Sequence, residues 1–188
     1  MDTLWNHALW RQFGAAIDAL DAALATCPDS LWTARLWSDP PDRPLPSWFP
    51  PQFAEFWYLS YHAIFWLDLY LSGVREEDFA PPAPFVWVEI DPSPVLDRPY
   101  TGEELRAYLA ATREKCHAIL IALTDAQLRR PVDYPWAAGQ VVSFGELLLY
   151  NMRHVQEHAA QLNLYLGQQA VPAVPDWVTG AEDASSRP

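Results

Sequence analysis

The sequence predicts an all-α protein, a four-helix bundle with a long crossover connection between helices two and three. Three observations carry that reading. Four segments have helical length, two of them open on a capping box, and one connection is far too long for a simple turn. Each segment exceeds 20 residues, which is roughly 30 Å or more at ~1.5 Å per residue. Helices so matched in length can share one core from end to end.

The first helix runs from about Thr3 to Ala25 and stops before Pro28, a residue that cannot continue a helix. The proline-rich stretch from Pro40 to Pro51 separates it from the second, about Phe53 to Gly73. A glycine there reads as a C-terminal signal. The third opens at Thr101-Gly102-Glu103-Glu104 and continues to about Leu123, with one further turn at Asp125 to Leu128. In this Thr-x-x-Glu capping box, side chain and backbone satisfy each other's orphan groups. The fourth opens on Ser143-Phe144-Gly145-Glu146, a second capping box, and is expected to end at Gly167. Between helices two and three lie the 27 residues Val74 to Tyr100, against roughly 2–8 in ordinary bundle connections. Such a segment can travel the length of the bundle, so these two helices can run parallel. Within it, residues 85–90 read as a short strand or an extended lid. Residues 1–167 form the bundle domain, and residues 168–188, with Pro172, Pro175 and Ser185-Ser186, an extended C-terminal tail.

Composition narrows the function classes. At 188 residues the chain suits one well-cored domain. Twelve Lys and Arg against 24 Asp and Glu leave a formal charge of −12. Nucleic-acid partners call for a basic stripe, so none is expected, and neither is an anionic membrane surface. No apolar run reaches the ~18 residues of a membrane span. The opening Met1-Asp2-Thr3 has no basic leader region. Cys27 and Cys116 make neither a disulfide framework nor a Cys-x-x-Cys. A reduced, cytoplasmic location is expected.

The chemistry concentrates in His154-Val155-Gln156-Glu157-His158. Positions i and i+4 lie on one helix face with Cβ atoms roughly 6 Å apart. Two imidazoles so placed can converge on one ion at ~2.0–2.1 Å. On the helical wheel Asn151, His154 and His158 fall near the centre of an apolar face, with Gln161 at its margin. Unpartnered polar groups there would cost roughly 2–7 kcal/mol each, so the stripe needs a collective explanation. A metal with supporting polar groups is one. Separate hydrogen bonds from each histidine to core carbonyls are the other.

Helix two supplies a third imidazole, His62, at its middle. That helix is otherwise apolar nearly all round, as expected of one buried on both sides, and its aromatic surplus suggests a homodimer interface. Mid-helix residues on facing helices can meet at one depth whatever the packing direction. Three imidazoles with open positions describe a reactive site and not a closed structural one. Zn, Ni, Fe and Cu all accept imidazole.

Other candidates weaken on inspection. His7 is isolated. His117 lies off the Cys116 stripe beside Arg106 and Arg113 and reads as a solvated flank. Glu114-x-x-His117 matches a di-iron element, but those sites need two such elements and two more glutamates. Cys116 reads as core filler, since nothing basic shares its face. The pattern His-x-x-Glu-His also fits inverted zincins. Glu157, however, points ~100° away from His158, and only thirty residues follow for a distal ligand.

His62 together with His154-x-x-x-His158, and the run HVQEHAAQLNLYLG from His154 to Gly167, resemble the DinB/YfiT-like superfamily. The resemblance covers roughly residues 3–167. It implies a four-helix bundle with a long second connection and a divalent-metal triad of His62, His154 and His158. Characterised relatives include transferases and isomerases that use mycothiol, bacillithiol or similar low-molecular-weight thiols, with the metal activating the thiol. The resemblance therefore implies one divalent transition metal (Zn, Ni or Fe), a thiol cosubstrate and a small electrophilic substrate. A thiol S-transferase, or a related hydrolase or isomerase, is the implied activity. Asn151 and Gln161 are expected to orient the imidazoles or the substrate, and Trp87 and Trp136 to line the pocket mouth. The competing reading is a non-catalytic binding or dimerisation module with core histidines.

Overall fold

Three helices begin with the same device. Thr101 with Glu104, Thr124 with Gln127 and Ser143 with Glu146 each form a reciprocal capping box, in which an N-cap hydroxyl accepts an orphan N–H while the N3 side chain reaches back. The structure is a computed structural model that describes residues 3–38, 51–86, 96–133, 141–172 and 180. Its elements are α1 (Thr3–Thr26), α2 (Asp29–Trp32), α3 (Phe56–Ser72), α4 (Gly102–Ala122), α5 (Asp125–Arg129) and α6 (Phe144–Gln168). Short 3-10 turns occupy Pro51–Ala54 and Glu76–Asp78. The strands β1 (Pro131–Asp133) and β2 (Val141–Ser143) pair antiparallel just ahead of α6. The long helices make an all-α bundle, as the sequence predicts.

Side-chain bridges establish the directions. Asp21 pairs with Arg106 and Asp18 with Arg113, while Asn6 donates to the carbonyls of Ile121 and Leu123, so α1 and α4 are antiparallel. Trp57 packs on Tyr100 and Asp68 bonds Tyr108, so α3 and α4 are parallel. Phe56 meets Tyr165 and Tyr70 meets Tyr150, so α3 and α6 are antiparallel. The order is up-down-down-up, with α1 diagonal to α3. Only a long crossover can join two parallel helices. Its described part packs inward: Phe85 stacks on Tyr61 and Tyr108, and Val86 hydrogen-bonds both Tyr61 and Tyr100. Phe85 and Val86 form no strand; residues 87–90 lie outside the described residues, as do Trp87 and Trp136.

Helix α3 accounts for its own aromatic load. Fourteen of its 17 residues are buried, including Trp57, Tyr58, Tyr61 and Phe65. Each such side chain contributes at most ~1.5–3 kcal/mol by area. They are covered by α4, α6 and the crossover. The aromatic surplus behind the expected homodimer is therefore spent within one chain. Among the described residues no helix is long and apolar enough to cross a membrane.

Helix ends differ from expectation in two places. Helix α3 starts at Phe56 and not Phe53, because Pro51–Ala54 winds as a 3-10 turn and Glu55 is an extended N-cap. Helix α6 runs through Gly167 and closes with Ala170 in the left-handed region, φ 58°. The Val171 N–H then bonds the Leu166 carbonyl, an αL closure usually given to glycine. At the end of α3, Gly73 does occupy that region, φ 60°, with the Phe144 ring 3.0 Å from where a Cβ would stand. Gly73→Ala is expected to cost ~1–2 kcal/mol and Ala170→Gly to gain up to ~1 kcal/mol. Urea unfolding midpoints should move in opposite directions; unchanged midpoints for both would contradict these backbone assignments.

Candidate metal centre

The antiparallel packing of α3 on α6 sets the depth at which histidines meet. Asn151 Nδ2 donates to the Leu67 carbonyl at 3.0 Å, and Phe56 packs on Tyr165 one end away. Residue 62 then falls opposite the turn from 154 to 158. The Nε2 atoms of His62 and His154 lie 3.2 Å apart, and those of His158 and His154 3.0 Å. His158 is 9% exposed, and His62 and His154 are partly buried. Among the described residues no other group of three His, Cys, Asp or Glu side chains converges this way.

These contacts bear on the two readings of the histidines. An imidazole nitrogen has one in-plane valence, a proton or a lone pair. Nε2 of His154 faces two nitrogens, and in no tautomer can it hydrogen-bond well to both. Two nitrogens ~2.1 Å from a common ion stand ~3.0–3.4 Å apart for angles between roughly 90° and 109°. The observed spacing matches a shared ion, and the three-imidazole set could hold a divalent transition metal.

The surroundings keep the lone pairs available. Burial, then the neighbouring His62 and His158, push the His154 pKa down to about 2, so its ring is neutral at ordinary pH. His158 Nδ1 lies 2.8 Å from Gln161 Oε1. Donation of Nδ1–H to that oxygen leaves Nε2 unprotonated and aimed at its partners. Gln161 thus stands beside the cluster. Asn151 makes no hydrogen bond to an imidazole among the described residues; its Nδ2 is held by the α3 backbone, and its Oδ1 is buried without a partner, like His154 Nδ1.

Aromatic rings wall the cluster. Phe53 and Trp66 stand edge-on to His62 at 5.4 and 6.2 Å, and Tyr70 and Tyr150 pack on His154 at 6.1 and 6.3 Å. The sequence analysis passed over Tyr70 and Tyr150. Their signal was spacing, since Tyr150 precedes His154 by one helical turn and Tyr70 follows His62 by two. Glu157 is exposed, off the histidine face. His117 is not a solvated flank: it is half-buried under Trp10, ring centroids 4.6 Å apart, because α1 packs over that side of α4. His7 is exposed at the start of α1.

The cysteines are poor nucleophiles. Burial, and then the Asp29 charge, push the Cys27 thiol up to about 12. Cys116 is fully buried, which raises its pKa further still despite the opposing Arg113 charge.

Comparison with known proteins agrees with this architecture. No curated protein sequence matches the chain. Among solved structures it is similar to a DinB-like protein, YjoA, from Bacillus subtilis, with a TM-score of 0.58 and 14% identity. That match covers 90% of this chain and 97% of the other, and at such low identity it speaks for the fold alone. The family model of the DinB superfamily matches residues 12–162, which takes in α3, α4, most of α1 and α6, and all three clustered histidines. By fold and by family match, the chain belongs to the DinB superfamily.

Proposed function

We propose that the chain is a metal-dependent enzyme that transfers a low-molecular-weight thiol to a small electrophilic molecule. One divalent transition metal, Zn, Ni or Fe, would be held by His62, His154 and His158. The observation that carries this reading is the pair of Nε2 contacts on His154, which no tautomer satisfies well by hydrogen bonding and whose spacing fits a shared ion. Bound there, the ion would lower the pKa of a coordinated thiol and so supply thiolate at neutral pH.

The chain's own groups do the remaining work. Gln161 orients His158 through Nδ1, and burial keeps His154 neutral. Phe53, Trp66, Tyr70 and Tyr150 pack against His62 and His154. An aromatic wall of low polarity strengthens the hold on a charged sulfur. The sulfur must come from outside, because Cys27 and Cys116 are both held as thiols. In the reaction the thiol proton is lost, a sulfur–carbon bond forms, and any displaced group leaves with its electron pair. A reduced cytoplasmic compartment is where such a thiol is kept available.

The test is direct. Co(II)-loaded protein titrated with 2-mercaptoethanesulfonate should develop a sulfur-to-metal charge-transfer band that saturates at one thiol per chain. Metal uptake without a thiol band would remove the thiol from the proposal. No uptake at all would leave a helical binding module with core histidines.

A further inference from the structure

Two buried polar atoms one helical turn apart are left without hydrogen-bond partners among the described residues: Asn151 Oδ1 and His154 Nδ1. Asn151 is 0% exposed. Protein interiors pair nearly all such groups, so two orphans on one stripe of α6 call for a joint account. One is a donor and the other an acceptor. Nε2 of His154 faces the Nε2 atoms of His62 and His158 at 3.2 and 3.0 Å. To serve an ion there it must carry a lone pair, which puts the ring proton on Nδ1. Asn151 Oδ1 can only accept.

Helix geometry brings the two together. Residues three apart are neighbours on a helix surface, with Cβ atoms roughly 5–6 Å apart. Helical side chains lean toward the N-terminus, so the His154 ring lies over the turn that holds residues 150 and 151. The ring contacts agree: Tyr150 stacks against His154 with 23° between the planes, and Tyr70 packs on both at 5.5 and 6.1 Å. The carboxamide of Asn151 is anchored from the other side, since Nδ2 donates to the Leu67 carbonyl at 3.0 Å. That bond fixes where Oδ1 points. A gap of this size between one donor and one acceptor suits a single buried water. At the other end of the cluster Gln161 does the same service directly, its Oε1 lying 2.8 Å from His158 Nδ1. Each α6 imidazole then has a carboxamide three residues outside it.

We infer that Asn151 is the positioning residue for His154: its Oδ1 takes the Nδ1 proton through one buried water and so holds Nε2 as a lone pair. The inference rests on the metal-site reading above and assigns the support of its central ligand. It also ties the two ligand-bearing helices together. The path runs from the Leu67 carbonyl through Asn151 to His154, so α3, which carries His62, sets the orientation of a ring on α6.

Two variants separate this role from that of a mere tie between helices. Asn151→Leu removes both the donor and the acceptor, whereas Asn151→Asp removes the donor to Leu67 and keeps an accepting oxygen. Zn(II) affinity, read by competition with a chromogenic chelator, is expected to fall at least tenfold in Asn151→Leu and to stay within threefold of wild type in Asn151→Asp. Equal losses in the two, or no loss in Asn151→Leu, would overturn the inference. A second readout needs no variant and no metal. In ¹⁵N spectra of the metal-free wild type, His154 should be the Nδ1–H tautomer, with a slowly exchanging ring proton that shows a cross-peak to bound water. An Nε2–H tautomer, or an Nδ1–H without that cross-peak, would also overturn it. A wild type that takes up no Zn(II) would instead defeat the metal reading, while the ring-proton spectrum still decides the role of Asn151.

Discussion

His158→Ala is expected to abolish stoichiometric metal binding while leaving the bundle folded. The imidazole is one of three whose Nε2 atoms converge, and no nearby carboxylate or thiol can replace it among the described residues. In the wild type, free metal at a hundredfold above Kd should stabilise the fold by ~2.7 kcal/mol. For a chain of this size that is roughly 5–10 °C in Tm. Elemental analysis and a metal-dependent melting series check both halves, with the variant showing neither uptake nor shift. An equal shift in wild type and variant would place the ion elsewhere.

The metal-free chain should also show a pH dependence of known sign. The folded pKa of His154 lies near 2, below the ~6.5 of an unfolded imidazole. Above ~6.5 the group is neutral in both states and costs nothing. As the pH falls below that, the unfolded chain gains a proton that the folded chain refuses. Stability then drops by up to ~1.4 kcal/mol per pH unit from this one group, continuing toward 2.

The second large effect lies away from the cluster, at Asp68. This carboxylate is 7% exposed; it accepts from the Tyr108 hydroxyl at 2.8 Å and from Lys115 Nζ at 2.5 Å. The triad ties the parallel pair α3 and α4 together. The Tyr108 pKa is raised, by burial first and by the Asp68 charge second, so its hydroxyl stays a donor. Asp68→Ala would leave that hydroxyl buried without an acceptor and strand a cation whose side chain is 38% exposed. An orphaned donor costs ~1–3 kcal/mol. A broken buried pair costs ~3–5 kcal/mol, less here because Lys115 can reach water. We expect ~3 kcal/mol in urea unfolding, with metal content unchanged. The double variant Asp68→Leu/Lys115→Met should recover much of the loss, since replacing both charges removes the desolvation cost as well. A loss below ~1 kcal/mol for Asp68→Ala would show the pair to be solvated.

Much of the fold was legible because its signals are local. Thr101 with Glu104 and Ser143 with Glu146 announce helix starts within four residues. The length of residues 74–100 allowed two helices to run parallel, which no short turn permits. Signals that depend on packing were not legible. Nothing in the sequence distinguishes Gly73, which adopts the left-handed region, from Gly167, which stays helical. The hairpin of β1 and β2 is too short to show a period. The aromatic excess of α3 looked like an interface because a helical wheel cannot count how many neighbours a helix will have.

The candidate site divides in the same way. Sequence alone determined that His154 and His158 share a face, since helical periodicity dictates it, and that His62 lies at the middle of its helix. Only the tertiary structure decided that all three Nε2 atoms meet, with separations of 3.0 and 3.2 Å. It also separated two carboxamides that the wheel treated alike. Gln161 reaches His158, whereas the Asn151 amide donates to the Leu67 carbonyl. The physical reason is that a helix places its side chains by rotation and rise alone. Which nitrogen faces which, and what wall surrounds them, depends on the approach of α3 to α6.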